Sequence, residues 1–84
     1  MTSAEKRSIN PAQCRAARGL LDWSQQELAT AAHVGISTVR DFEKGRRAPT
    51  YNNMRAIEQA LEAQGIDFIA ENGGGPGVRL KGSR

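Results

Sequence analysis

From Pro11 onward, small and apolar side chains return every three or four positions: Ala12, Ala16, Ala17, Leu20 and Leu21. That is the period of a helix with one buried face. Asn10 is a good N-cap, Pro11 suits the first helical position, and Gln13 stands where a capping-box partner belongs. The pattern predicts helix 1 over Pro11–Leu20. Ser24-Gln25-Gln26-Glu27 is a capping box of the S-x-x-E type and opens helix 2, Gln25–Ala32, with Leu28, Ala29 and Ala32 inward. His33-Val34-Gly35 interrupts the period. Helix 3 then runs Ile36–Lys44 with Val39 and Phe42 inward, Gly35 as its N-cap and Gly45 as its stop. Thr50 caps helix 4, Tyr51–Gln64, whose Met54, Ile57 and Leu61 share one face, and Gly65 ends it.

After Gly65 the period changes. Ile66–Ile69 and Val78–Lys81 read as two strands around the turn-rich Asn72–Gly77, a C-terminal hairpin rather than a glycine-rich tail. An isolated hairpin is marginal in water, so this one is expected to pack on helix 4 or to pair with a second copy of itself. Residues 1–9 lack periodicity and read as an N-terminal arm. The organisation is therefore arm 1–9, helical domain 10–65, and hairpin or tail 66–84, the last a candidate dimerisation element. The fold class is mainly α.

Composition narrows the function classes. One cysteine (Cys14) and one histidine (His33) among 84 residues exclude an internal disulfide, a Cys/His zinc site and a Cys-His nucleophile pair. Gly73–Gly77 lacks the Lys-Ser/Thr of a phosphate-binding loop. Nothing supports an enzyme, and neither a cofactor nor a metal is implied. No apolar run approaches the length of a membrane span. A lone thiol fits a reducing, cytoplasmic setting. The net charge of +3 is distributed unevenly: residues 1–55 carry +4, residues 56–72 carry −4, and residues 73–84 carry +3. The run Arg40, Lys44, Arg46, Arg47 is either a solvated face or part of an anion-binding surface.

Two short helices, Gln25–Ala32 and Ile36–Lys44, joined by a tight turn form a helix-turn-helix pattern. The residues Ser24-Gln25, Leu28-Ala29, Val34, Ser37-Thr38-Val39, Phe42-Glu43, Gly45, Arg47 and Pro49 strongly resemble the XRE family of lambda-type phage and bacterial repressors. The motif spans about 26 residues, and with its flanking helices the resemblance covers roughly 10–65. It implies a four-helix, lambda-repressor-like DNA-binding domain.

The resemblance also assigns roles. Helix 3 would enter the major groove with Ile36, Ser37, Thr38 and Asp41 near base edges and Arg40 and Lys44 close by. Gln25 would donate to a phosphate at the positive end of helix 2. Arg46 and Arg47 would meet the next phosphates, and Asn53, with Asn52, would add a backbone contact. Arg18 would pair with Glu43 as a structural ion pair. Two positions depart from the pattern: His33 replaces the glycine that ends helix 2, and Gly35 replaces the Ser/Thr cap of helix 3. Histidine tolerates positive φ better than most residues, so His33 reads as a turn residue rather than a pH sensor. Cys14 reads as a small bystander on helix 1, and Trp23 as a hydrophobic staple against Leu28. Tyr51 is either core edge or phosphate contact.

Two functions follow. The first is a sequence-specific regulator, chiefly a repressor, which binds double-stranded DNA at an inverted repeat as a homodimer through helix 4 or the hairpin. It would be cytoplasmic and held at the nucleoid by its DNA. The second is a protein-interaction module on the same fold, an antitoxin or antiactivator with a toxin or another regulatory protein as partner.

Overall fold

The computed structural model describes residues 8–81. Four helices are followed by a two-stranded antiparallel hairpin: α1 Pro11–Leu21, α2 Gln25–Ala32, α3 Ile36–Glu43, α4 Tyr51–Ala63, β1 Ile66–Ile69 and β2 Gly77–Leu80. The caps explain the starts. Asn10 with Gln13, and Ser24 with Glu27, form reciprocal capping boxes, and Thr50 accepts from the Asn53 N–H. Gly35 caps α3 without a side-chain bond. The expected ends are off by one residue: Leu21 closes α1, whereas Lys44 and Gln64 are caps outside α3 and α4. These last turns are bounded by cap hydrogen bonds that periodicity does not resolve.

His33 takes a left-handed conformation (φ 59°) at the end of α2. Asp22 does the same at the end of α1 (φ 60°), an exit that helical periodicity does not signal. Both are αL caps made by non-glycine residues.

The core gathers one apolar face from each helix: Ala17 from α1, Leu28, Ala29 and Ala32 from α2, Val39 and Phe42 from α3, and Met54, Ile57 and Leu61 from α4. Trp23 is partly buried against it.

Helix α1 differs from its expected stripe. Gln13, Cys14 and Ala17 are buried, whereas Ala12, Ala16 and Leu20 are exposed. Alanine carries too little apolar surface to dictate which face turns inward; the polar partners of Gln13 and Cys14 decide it.

The expected arm 1–9 lies outside the described residues over 1–7. Ile9 belongs to the core, with its backbone N–H bonded to Glu58 Oε2 at 3.1 Å. Glu58 is itself buried and held by Arg55 at 2.7 Å.

The hairpin is part of the same core. Ile66 is fully buried, β1 leans on α4 and β2 lies on α1, so α1 supports it as well as the expected α4. The register pairs Ile66 with Leu80 and Phe68 with Val78; Ile66 is buried, Phe68 and Val78 are half-buried, and Leu80 is exposed. Strand β2 begins at Gly77 and stops at Leu80, one residue earlier than expected at both ends. The amide of Gln13 donates to the carbonyls of Gly77 (3.0 Å) and Ile69 (3.4 Å) and pins the loop end of the hairpin to α1. At the tip, Glu71 accepts from the N–H groups of Gly73 (3.3 Å) and Gly75 (3.2 Å), both glycines lying at positive φ.

Candidate functional site

Helix α3 sits between a buried anchor and an open face. Val39 and Phe42 face the core. Ser37, Arg40, Asp41 and Lys44 recur at i, i+3, i+4 and i+7 and line the opposite side. Ser37, Arg40 and Lys44 are exposed, and Asp41 is half-buried.

The anchor is Glu43, the last residue of α3. Its side chain is 2 % exposed, and that of Arg18 is 20 % exposed. Arg18 Nε donates to Oε2 and Nη2 to Oε1, both at 2.8 Å. The fork holds the guanidinium and carboxylate in one plane. Gln25 Nε2 adds a third donor to Oε1 at 3.0 Å, and the Cys14 thiol a fourth to Oε2 at 3.1 Å. Arg15 donates to the Glu43 carbonyl, and the remaining Arg18 nitrogen to the Trp23 carbonyl at 2.9 Å. One carboxylate thus joins the middle of α1, the start of α2 and the end of α3.

The charges follow from this geometry. Burial pushes the Glu43 carboxyl up, but hydrogen bonds from Arg18, Gln25 and Cys14 and the charge of Arg18 outweigh it, and the group titrates below the ordinary range. The bond to Glu43 holds Arg18 above its already high value. Burial, reinforced by Glu43, pushes the Cys14 thiol far up, so it is a neutral donor rather than a nucleophile.

Beyond α3 the chain turns at Gly45 (φ 74°), and the N–H groups of Arg46 and Arg47 return to the Asp41 carbonyl at 2.9 and 3.4 Å. This fold-back places Arg47 beside α3. A cavity of about 320 Å³ opens there, lined by Ser37, Thr38, Asp41, Arg47, Ala48, Pro49, Thr50 and Asn53. Five of the ten site residues singled out from the sequence therefore meet at one concave surface. Arg46 lies over Asp41 in a loose, exposed ion pair at 3.9 Å, an arrangement of small energetic weight. Arg40 and Lys44 extend the same exposed face.

Two site residues stand differently. Ile36 is packed partly against the core, so only part of it faces outward. Gln25 gives one amide hydrogen to Glu43, and its second N–H remains for another acceptor. In the first turn of α2, the capping box satisfies Glu27, while the N–H groups of Gln25 and Gln26 point along the axis. Tyr51 is 68 % exposed at the start of α4, which removes it from the core edge.

Sequence reasoning misses the contacts of Arg15 and of Cys14, which reads as a bystander but is buried and donates to Glu43, and it foresees the capping box of Gln13 but not that residue's reach to the hairpin. The first two stand three and four residues from Arg18, within the helical neighbourhood of its partner, and that spacing was the available signal. Among the described residues, no His/Cys/Asp/Glu group is placed to hold a metal ion, and no helix is long and apolar enough to cross a membrane.

Comparison with known families finds that the model of a family described as helix-turn-helix matches residues 15–67, more than half of the chain. No curated protein matches the chain. The matched segment starts on α1 and ends within β1, so it encloses the Arg18–Glu43 anchor, the exposed face of α3 and the cavity beside it.

Proposed function

Because this chain belongs to the XRE-type helix-turn-helix family of DNA-binding regulators, we propose that it reads an inverted repeat in double-stranded DNA as a homodimer and acts as a repressor. The carrying observation is the pairing of an open face with a fixed back on α3. Ser37, Arg40, Asp41 and Lys44 face outward, while Glu43 holds the helix from behind through four side-chain hydrogen bonds. A helix meant to place side chains against base edges must have a fixed orientation, because hydrogen-bond readout tolerates little displacement.

In this reading Ser37, Thr38 and Asp41 meet base edges in the major groove. Asp41 accepts from a cytosine amino group, and the exposed part of Ile36 meets a thymine methyl. Arg40 and Lys44 flank them. Arg46, Arg47 and Asn53 hold the phosphate backbone, and Gln25 adds a phosphate contact through its second amide hydrogen. Two copies related by a two-fold axis place two recognition helices about one helical turn apart, which an inverted repeat matches.

Selection of bound duplexes from a random pool tests this directly. The expected result is an enriched palindrome with half-sites about ten base pairs apart. Enrichment of a single half-site would remove the homodimer. No enrichment from a folded protein would favour the protein-interaction role, an antitoxin or antiactivator with a toxin or another regulator as partner.

A further inference from the structure

We propose that Arg15 of α1, together with Arg40 of α3, holds the phosphate backbone of the second DNA strand, across the groove from Arg46, Arg47 and Asn53. This contact rests on the DNA-binding reading above.

The geometry of α3 gives its open face two flanks. Successive residues of an α-helix stand about 100° apart around the axis. Thr38 and Asp41 fall toward one flank, where the cavity with Arg47 and Asn53 opens. Arg40 and Lys44 fall toward the other. Glu43 stands about 60° from Arg40 and about 140° from Thr38 in the same projection. The groups that reach Glu43 therefore come from the Arg40 side: Arg15, Cys14 and Arg18 from α1, and Gln25 from α2.

Arg15 is held on that side without being neutralised. Its Nη1 donates to the Glu43 carbonyl at the end of α3, and the residue is exposed. One of five N–H groups is committed, and the acceptor is a neutral main-chain oxygen, so the charge and four donors remain. The carboxylate of Glu43 already belongs to Arg18. Among the described residues, no carboxylate pairs with Arg15, Arg40 or Lys44; the arginines that have one are Arg18, Arg46, Arg55 and Arg79. Three exposed cations without a counter-ion thus gather at the end of α3, and their combined field attracts an anion.

The phosphate backbone fits this place. A helix in the major groove has one strand's phosphates along each flank. Arg46, Arg47 and Asn53 lie on the cavity flank and serve one strand, which leaves the Arg40 flank for the other. The planar fork of Arg15 matches two phosphate oxygens, and its bond to the Glu43 carbonyl fixes the guanidinium in advance, so less side-chain freedom is lost on binding. The same bond ties α1 to the end of the recognition helix, so a phosphate held by Arg15 is in register with the residues that face the bases.

The test measures affinity for a mixed-sequence duplex against salt, using the full chain, with urea denaturation of every variant. Arg15→Gln keeps an amide donor and loses the charge. It is expected to weaken binding and flatten the slope of log affinity on log salt by about one, whereas Arg15→Lys should keep the slope. Arg15→Gln combined with Arg47→Ala should flatten it by about two. On the duplex recovered by selection, phosphate ethylation should interfere with the wild-type chain on both strands of a half-site. Arg15→Gln should lose sensitivity on one strand and Arg47→Ala on the other. A folded Arg15→Gln protein with wild-type slope and affinity would overturn the contact, leave Arg15 a cap on α3, and keep DNA binding itself intact. Loss of sensitivity on the same strand in both variants would overturn the two-flank arrangement. A folded wild-type chain that binds no duplex at low salt would overturn the DNA-binding reading and this contact together. If Arg15→Gln does not fold, the wild-type ethylation pattern decides, and interference confined to one strand of a half-site overturns the proposal.

Discussion

The side-chain amide of Gln25, the first residue of α2, donates to Oε1 of Glu43, the last residue of α3, across 3.0 Å. The same oxygen accepts from Arg18 on α1. Glu43 is therefore shared by all three elements that set the angle of the recognition helix, and a residue proposed to touch a phosphate is tied to the carboxylate behind that helix.

Removing either half of the ion pair should be costly. Glu43 is almost fully enclosed and Arg18 is partly buried, so loss of one leaves the other charged and without its partner away from bulk water. Arg18→Ala and Glu43→Ala are expected to destabilise the fold by about 3–5 kcal/mol in urea denaturation. Arg18→Lys should restore only part of this, because an ammonium cannot reproduce the two-pronged contact. Arg18→Ala with wild-type stability would reject the anchor.

Gln25→Ala separates the two roles of that amide. Losing a hydrogen bond to a charged acceptor is expected to lower stability by about 1.5–3 kcal/mol. If the second N–H also meets a phosphate, duplex affinity falls under conditions where the variant is fully folded. Affinity equal to wild type under those conditions would leave Gln25 a purely structural part.

Stability should fall on both sides of neutrality, for different reasons. Glu43 titrates below its ordinary range in the folded state. Its contribution is complete above the unfolded value of about 4.3 and is lost as pH falls through the folded value. Cys14 titrates above its ordinary range. Its contribution is complete below about 8.5, where the unfolded thiol begins to ionise, and declines above that by up to about 1.4 kcal/mol per pH unit. Melting temperatures across pH 3–10 should show both limbs. Glu43→Gln should flatten the acid limb, and Cys14→Ala the alkaline one. An alkaline limb unchanged by Cys14→Ala would assign that loss to another group.

The proposed phosphate contacts are separable from base contacts by their salt dependence. The logarithm of affinity is expected to fall linearly with log salt, by about 0.9 per contact. Arg46→Ala and Arg47→Ala should weaken binding to all duplexes alike and flatten this slope by about one each. Ser37→Ala and Asp41→Ala should instead change which sequence is preferred. An unchanged slope would remove the two arginines from the interface.

His33 lies at φ 59°, a region that β-branched residues avoid. His33→Val is expected to cost about 1–2 kcal/mol, whereas His33→Gly should be tolerated. Equal stability of the two variants would show that the turn relaxes out of the left-handed region.

Local chemistry was legible in the chain wherever one residue governs one backbone event. Asn10, Ser24 and Thr50 cap their helices, Gly45 takes a positive φ, and the hydrophobic faces of α2, α3 and α4 are those that periodicity marks. These features depend on contacts within a few residues, so they are encoded locally. The exposed stripe of α3 is equally local, because helical geometry alone puts positions 37, 40, 41 and 44 on one side.

Tertiary structure decided what depends on partners distant in the chain. Alanines at 12, 16 and 17 do not determine which way α1 turns. Gln13, reaching the hairpin some sixty residues away, and Cys14, reaching Glu43, rotate it and expose Leu20. The same long-range contacts make β1 and β2 part of the core, give Ile9 a place beside Glu58, and commit one hydrogen of Gln25 to an internal carboxylate. By itself the sequence determined the elements, the N-caps at which the helices start and the outward face of the third helix, because backbone geometry and nearest neighbours set those. The orientation of α1 and the burial of the Glu43 network emerged only in the fold, because a buried hydrogen bond exists only once both partners have been brought out of water together.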